Sequence, residues 1–129
     1  MNDAQLKALV DGYLVCLLWV MPGDDECENP GDSLSIHCDL ADGVRAEAET
    51  HCREFLAKCG SLATAAVERI GYGPEQFGHD FALTRNGHGV GFADREQLRK
   101  GDLGHKLRNL CSYREKNLYV GDDGKAYFE

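Results

Sequence analysis

Apolar residues near the start of the chain recur every three or four positions, which is the spacing of one face of an α-helix. The positions that follow this pattern are Leu6, Leu9, Val10, Tyr13, Leu14 and Leu17. We therefore predict a first helix from about Asp3 to Trp19, with the Asp3 side chain capping the free amides of its first turn. The pair Pro22-Gly23 should end it, because proline cannot continue a helix.

The same spacing predicts a second helix from about Asp42 to Cys59, with Gly60 as its C-terminal cap. The buried face of this helix would carry Val44, Ala48, Cys52, Phe55, Leu56 and Cys59. A short third helix, capped by Ser61, should follow through Ile70. Residues 22–33, between the first two helices, contain two prolines and five acids and are predicted to form a loop.

Beyond residue 78 the pattern becomes more typical of β-strands. His79 to Arg85 is predicted to form one strand and Val90 to Phe92 the strand that returns beside it. Asn86-Gly87 lies between them, and this dipeptide favours a type I′ turn because both central residues of that turn need positive φ. The segment therefore predicts a β-hairpin.

The end of the chain predicts one more helix and one more hairpin. Asp102 would open the helix, and Leu118–Val120 would pair with Ala126–Phe128 across a glycine-rich turn. The predicted fold class is α+β, with N-terminal helices followed by a ββαββ unit that has an antiparallel sheet. The chain would form a single domain, 1–129, with a helical part in 1–73 that includes the acidic loop 22–33 and the ββαββ part in 78–129.

The negative charge of the protein lies in one segment. Residues 24–49 hold nine acids against one base, Arg45, a net charge of −8 that equals the charge of the whole chain. The nine acids are Asp24, Asp25, Glu26, Glu28, Asp32, Asp39, Asp42, Glu47 and Glu49. We call residues 24–49 the acidic window. A concentration of this kind indicates a cationic partner, a solvated segment, or neutralisation within the fold. The bases that could neutralise it are Arg95, Arg99, Lys100, Lys106, Arg108, Arg114 and Lys116.

Composition favours a globular protein of the cytoplasm. The longest apolar run, Leu14 to Met21, has eight residues, whereas a membrane-spanning helix needs about 20. Asp3 and Asp11 lie where a secretory leader would carry positive charge. A reducing compartment would keep the six cysteines as thiols, and four of them lie on apolar helix faces, where a thiol packs as a small hydrophobic group.

Residues 78–94 read GHDFALTRNGHGVGFAD, and residues 118–124 read LYVGDDG. Both segments resemble a family of small uncharacterised proteins of phages and mobile elements. The usual form of that family is G-H-D-F-W-L-T-R-N-x-H-G-x-G-F-W-D, followed by a terminal L-Y-V-G-D-D-G hairpin; Ala82 and Ala93 replace its two tryptophans. The family also has an acidic pair after an early tryptophan, similar to Asp24-Asp25 after Trp19. The resemblance implies a phage or prophage context, in which small acidic proteins often inhibit host nucleic-acid machinery, including CRISPR effectors.

These observations predict a binding protein rather than an enzyme. A carboxylate-rich surface can present the charge pattern of DNA to a basic groove, so we expect an anti-CRISPR-like inhibitor of a basic host protein or nucleoprotein complex. No cofactor, metal, membrane or direct nucleic-acid contact is expected. The binding residues would be the nine acids together with Arg85, Asn86 and His88. The last three would meet at the tip of the predicted hairpin. The oligomeric state and the identity of the partner stay open.

Two other classes are alternatives. His79, Asn86, His88 and His105 lie on a predicted ββα element, which is typical of His-Asn-His nucleases that use a divalent cation. Against this, the predicted helix begins well after the hairpin and lacks a second histidine. A structural or virion-associated subunit is the other alternative. A zinc site at the His37-Cys38 and His51-Cys52 pairs is disfavoured, because structural zinc ligands usually stand two to four residues apart.

Overall fold

The computed structural model describes residues 1–21, 34–87 and 91–129. Its regular elements in these ranges are α1 (Asp3–Trp19), α2 (Val44–Cys59), α3 (Ser61–Val67), α4 (Gly73–Arg85), α5 (Leu103–Leu110), β1 (Leu118–Val120) and β2 (Ala126–Phe128). Three short 3₁₀ turns, Phe92–Asp94, Glu96–Leu98 and Lys100–Asp102, precede α5. The α+β class is confirmed, but the ββαββ unit is wrong, because the described residues between 78 and 129 hold the end of α4, then α5 and a single hairpin.

The first helix has the predicted bounds, but a different residue caps it. The side chain of Asn2 accepts a hydrogen bond from the Gln5 backbone amide at 2.8 Å, and the Gln5 side chain accepts one from the Asn2 amide at 3.0 Å. This reciprocal pair satisfies two amides that would otherwise lack partners. Asp3 is therefore the first helical residue rather than the cap, and Pro22-Gly23 lies outside the described residues.

The second and third helices differ from their predicted bounds only at the ends. Helix α2 begins at Val44, two residues after the predicted start, and Gly43 precedes it with a φ of +84°. Gly60 follows its last residue, as predicted. Helix α3 ends at Val67, three residues early. Ile70 continued the apolar spacing in the sequence, but its side chain is almost fully exposed in the turn between α3 and α4.

The hairpin predicted at residues 79–92 is wrong, because residues 73–85 form helix α4. Pro74 lies in its first turn, where a proline's fixed φ and missing amide hydrogen are tolerated. Phe77 and Phe81 are one helical turn apart and fully buried. Gly87, predicted as part of the type I′ turn, has a φ of +65° just after the helix, the usual conformation for a glycine that ends a helix. Phe92, predicted as a strand residue, belongs to a 3₁₀ turn.

The C-terminal hairpin is confirmed. Strands β1 and β2 are antiparallel, with Tyr119 opposite Tyr127 and Val120 opposite Ala126. On the outer edge of β2, the Ala126 amide donates to the Asp39 carbonyl at 2.7 Å, and the Ala41 amide donates to the Ala126 carbonyl at 2.9 Å. These two bonds fasten the segment before α2 to the end of the chain.

Helices α1 and α4 pack against each other along most of their length. The rings of Tyr13, Phe55 and Phe81 stack between α1, α2 and α4, with centroids 5.0 Å apart for Tyr13–Phe81 and 4.4 Å for Phe55–Phe81. The thiols of Cys16, Cys52 and Cys59 are free and buried in this core. Over the described parts of the chain, no helix is long and apolar enough to cross a membrane.

Candidate functional site: the acidic window and the hairpin groove

The structure places four of the nine predicted acidic residues, around the start of α2. The other five, Asp24, Asp25, Glu26, Glu28 and Asp32, lie outside the described residues. The Asp39 carboxylate is half-buried and accepts a hydrogen bond from the Ser35 amide at 2.7 Å, which closes a local turn. Asp42 is exposed, just before α2. A carboxylate in this position also interacts favourably with the positive end of the helix dipole.

The two glutamates of the window lie on α2 and make only long ion pairs. Glu47 is 3.7 Å from the ammonium group of Lys116 and also 3.7 Å from His51, and Glu49 is 3.7 Å from Arg53. Their side chains are 45% and 48% exposed. Because exposed ion pairs contribute about 1 kcal/mol or less, a cation on a partner could displace them at small cost.

The single base of the window does not neutralise it. A guanidinium nitrogen of Arg45 lies 2.7 Å from the carboxylate of Asp11, which belongs to α1 and not to the window. Another nitrogen of Arg45 donates to the Ile36 carbonyl at 3.4 Å. Arg45 therefore joins α2 to α1 and leaves the described acids of the window to other partners.

A groove of about 530 Å³ lies between the start of α2 and the C-terminal hairpin. Its lining contains two acids of the window, a third acid from the hairpin turn, and two tyrosines: Ala41, Asp42, Gly43, Val44, Glu47, Tyr119, Asp123, Lys125, Tyr127 and Phe128. We call it the hairpin groove. It exists because Asp39 to Ala41 pairs with β2, which brings the start of α2 against the face of the hairpin.

The aromatic wall of the hairpin groove is formed by the cross-strand pair of Tyr119 and Tyr127. Their ring centroids are 5.7 Å apart, edge to face. The Tyr127 hydroxyl donates to the Asp123 carboxylate, and this bond lowers the pKa of Asp123 below its usual value. Asp123 therefore stays ionised at neutral pH, at the mouth of the groove. Sequence reasoning missed these three residues, although the strand-turn-strand spacing places both tyrosines on one face.

Arg85 and Asn86 are not at an exposed hairpin tip, because that hairpin is absent. The Arg85 guanidinium donates to the Arg114 carbonyl at 2.9 Å and to the Tyr13 hydroxyl at 3.1 Å. Asn86 makes two bonds to the Lys116 backbone, accepting from its amide at 2.9 Å and donating to its carbonyl at 3.0 Å. The two side chains thus fasten residues 114–116 to the end of α4. His88, the third predicted residue, lies outside the described residues.

A second polar group lies behind the hairpin groove, around His51. Since Arg85 donates to the Tyr13 hydroxyl, that hydroxyl can donate its own hydrogen to Nδ1 of His51, 3.1 Å away. The His51 ring also packs edge-on against Phe128, 5.1 Å away. Burial, followed by the positive charges of Arg85 and Lys116, lowers the pKa of His51 to about 4. His51 is therefore neutral in the folded protein at physiological pH.

The neutral state of His51 predicts a loss of stability in mild acid. An unfolded histidine binds a proton near pH 6.5, whereas His51 in the fold resists protonation until about pH 4. Between these values the unfolded state binds more protons, so stability falls as the pH is lowered, by about 2 kcal/mol at pH 4.5. Urea denaturation at pH 7 and pH 4.5 measures this.

The matched variant for this experiment is His51→Gln, whose side chain can still accept from Tyr13 but does not titrate. Its stability should fall less between the two pH values than that of the wild type, since the contribution of His51 is removed, whereas the carboxylates and His79, whose pKa is also lowered by burial, still contribute. Identical losses in both proteins would show that His51 titrates normally in the fold.

The most buried charged group, Asp80, belongs to the fold rather than to an open site. The Asp80 carboxylate is fully buried and accepts hydrogen bonds from Arg95 at 2.7 to 3.0 Å. It also accepts from the Tyr72 hydroxyl at 2.7 Å and from the Gln76 amide at 3.1 Å. Both oxygens are thus occupied by residues of this chain, and the cluster joins α4 to the 3₁₀ segment.

Of the histidines in the alternative nuclease interpretation, the structure describes His79 and His105, and neither lies on a ββα element. His79 lies on α4 and is half-buried beside Trp19, with ring centroids 5.8 Å apart. His105 is exposed on α5, 4.0 Å from Asp102. Among the residues that the structure describes, no three His, Cys, Asp or Glu side chains lie close enough to hold a metal ion.

Comparisons of the chain with protein-family models, with curated proteins and with solved structures find no match in any of the three. The function must therefore be inferred from the properties of the protein surface. Two of these properties bear on it most: the concentration of acids in one window, and a groove lined by Asp42 and Glu47 of that window together with the exposed ring of Tyr119 and the half-buried ring of Tyr127.

Proposed function

We propose that this chain is an acidic inhibitor that binds a basic, nucleic-acid-binding protein or nucleoprotein complex of a host cell, in a phage or prophage context. Its carboxylates would occupy the cationic surface that otherwise holds nucleic acid, as in anti-CRISPR-like mimicry of DNA. Duplex DNA carries about one negative charge per 1.7 Å of helix axis, and the proteins that hold it present matching lysines and arginines. A dense acidic surface can meet the same residues.

The observation that carries the proposal is the weak internal neutralisation of the acidic window. Seven of the bases in the C-terminal half were expected as candidates for screening it: Arg95, Arg99, Lys100, Lys106, Arg108, Arg114 and Lys116. Among the described residues, only Lys116 of this set makes an ion pair with an acid of the window, and it does so at 3.7 Å. Arg95 is committed to Asp80. The described acids of the window, Asp39, Asp42, Glu47 and Glu49, are therefore only weakly neutralised, which supports negative potential on this surface.

Electrostatic binding of this kind has a measurable signature. Charges that face each other across an interface accelerate association, and the effect falls steeply with ionic strength. We expect a partner captured from host lysate to be a nucleic-acid-binding protein, and its retention on the immobilised chain to drop sharply between about 50 mM and about 300 mM salt. The same partner should lose its nucleic acid when this chain is added.

The test uses two variants with equal changes in charge. In the first, Asp24, Asp25, Glu26 and Glu28 become Asn or Gln; in the second, four exposed acids outside the window change in the same way: Glu54, Glu68, Asp94 and Glu96. The first variant should lose the partner and keep the circular dichroism of the wild type, whereas the second should retain it. Equal retention by both variants, or capture that salt does not weaken, would overturn the proposal.

A further inference from the structure

The hairpin groove combines exposed aromatic surface with exposed carboxylates. Tyr119, which lines the groove, is 44% exposed, so a large aromatic ring is open to solvent there. Asp42 faces the groove from the start of α2 and makes no hydrogen bond or ion pair with any other residue that the structure describes. The groove therefore has an aromatic wall and, at its rim, an exposed carboxylate that no described residue pairs with.

The charge of the groove restricts what can bind there. Three carboxylates line it, those of Asp42, Glu47 and Asp123, against one ammonium group, that of Lys125. A second copy of this chain or a nucleic acid would bring further negative charge to the same place. A basic protein segment is complementary in charge, and its side chains can also cover the tyrosine wall.

We infer that the hairpin groove binds an arginine side chain of the partner, with the guanidinium plane against Tyr119 and its N–H groups donating to Asp42. This inference rests on the proposed function and gives it a place in the fold. Arginine fits better than lysine because its planar group can stack on a ring and bond a carboxylate in the same pose. The chain itself uses a related contact, since Arg85 lies 5.4 Å from the centre of the Tyr113 ring.

The experiment is a titration of the ¹⁵N-labelled full chain, followed by NMR. The probe is tetra-arginine amide, and the matched control probe is tetra-citrulline amide, which has nearly the same shape without the charge. Tetra-arginine should produce saturable shifts at the amides of Asp42, Tyr119 and Asp123, and tetra-citrulline should not.

Variants assign the two contacts separately. Tyr119→Leu keeps an apolar side chain without the ring, and Asp42→Asn keeps the shape without the charge. Each should weaken tetra-arginine binding by about 3- to 10-fold, the usual range for a stacked cation or an exposed charge pair. Glu68→Gln, an exposed acid on the C-terminal side of α3, should bind like the wild type. The spectrum of each variant shows whether it is folded.

The outcomes separate this inference from the proposed function. Shifts confined to residues 22–33, equal shifts with tetra-citrulline, or undiminished binding by both groove variants would each overturn the groove as an arginine site, and the capture experiment would be unaffected. Conversely, if tetra-arginine binds the groove but no nucleic-acid-binding partner is captured, the groove assignment stands and the proposed inhibitor fails.

Discussion

Replacing Gly78 with alanine should destabilise the protein by about 3 kcal/mol or more, the upper range for adding a methyl group to a close-packed contact. A Cβ at this position would overlap the carbonyl oxygen of Leu9 on α1 and lie 2.9 Å from the Tyr13 amide nitrogen. Both obstacles are backbone atoms, so no side chain can turn away to make room. The two helices would have to separate, and the aromatic core between them would loosen.

A second glycine, on α1, makes an equivalent contact with the backbone of α4. A Cβ at Gly12 on α1 would overlap the carbonyl oxygen of Glu75 on α4. Each helix thus presents a glycine to the backbone of the other, and this is how α1 and α4 come so close. Gly12→Ala should therefore cost about as much as Gly78→Ala, because both changes prevent the same approach.

Urea denaturation of the two variants tests this contact, with Lys7→Ala as the control on the exposed face of α1. The control should stay within about 0.5 kcal/mol of the wild type. In an open helix, glycine to alanine stabilises by about 1 kcal/mol. Stabilisation of either glycine variant would mean that the helices do not meet there.

Replacing Arg95 with methionine should lower the stability of the protein by about 3 kcal/mol, in the range for breaking a buried ion pair. The change leaves Asp80 fully buried with only the Tyr72 hydroxyl and the Gln76 amide as donors. A carboxylate that loses its counter-charge in such a place is costly whether it stays ionised or takes up a proton.

A double-mutant cycle measures the Asp80–Arg95 coupling directly. In the Arg95→Met background, the further change Asp80→Asn removes the unpaired charge, so it should cost much less than Asp80→Asn does in the wild type. Denaturation at pH 7 gives the four stabilities. Additive losses, or a loss below about 0.5 kcal/mol for Arg95→Met, would contradict the view that this pair ties the 3₁₀ segment to α4.

Neither the glycine contact between α1 and α4 nor the Asp80–Arg95 ion pair could be predicted from the local pattern of the chain. By helix propensity alone, Gly12 predicts a slightly less stable helix. Its structural role is to let the backbone of α4 come close, and α4 lies much later in the sequence. Asp80 is adjacent to His79 in a segment that predicts a strand. Its partner Arg95 lies beyond a predicted turn, so nothing local pairs the two.

The candidate site was predicted in part. The acidic window follows from composition alone, and Asp42 and Glu47 were among the predicted residues. Tyr119, Tyr127 and Asp123 were not predicted, since two tyrosines on the same face of a hairpin, one on each strand, are an ordinary feature. Arg85 and Asn86 were predicted for an exposed turn, and the structure instead engages them with residues 114–116.

By itself, the sequence determined α1, α2 and the C-terminal hairpin, because each has a strong local signal. For α1 this signal is the apolar spacing, for α2 the same spacing and the glycine that stops it, and for the hairpin a glycine-rich turn between two β-prone triplets. Local energetics decide such elements, since the residues that specify them lie within a few positions of one another.

Only the tertiary structure decided the form of residues 73–87 and the position of the four described acids of the acidic window. Asn86-Gly87 suits both a hairpin turn and the end of a helix, because glycine tolerates positive φ in either setting. The burial of Phe77 and Phe81 against α1 and α2 selects the helix. The groove likewise arises from the pairing of Asp39 to Ala41 with β2, a long-range contact whose energy no local stretch of sequence contains.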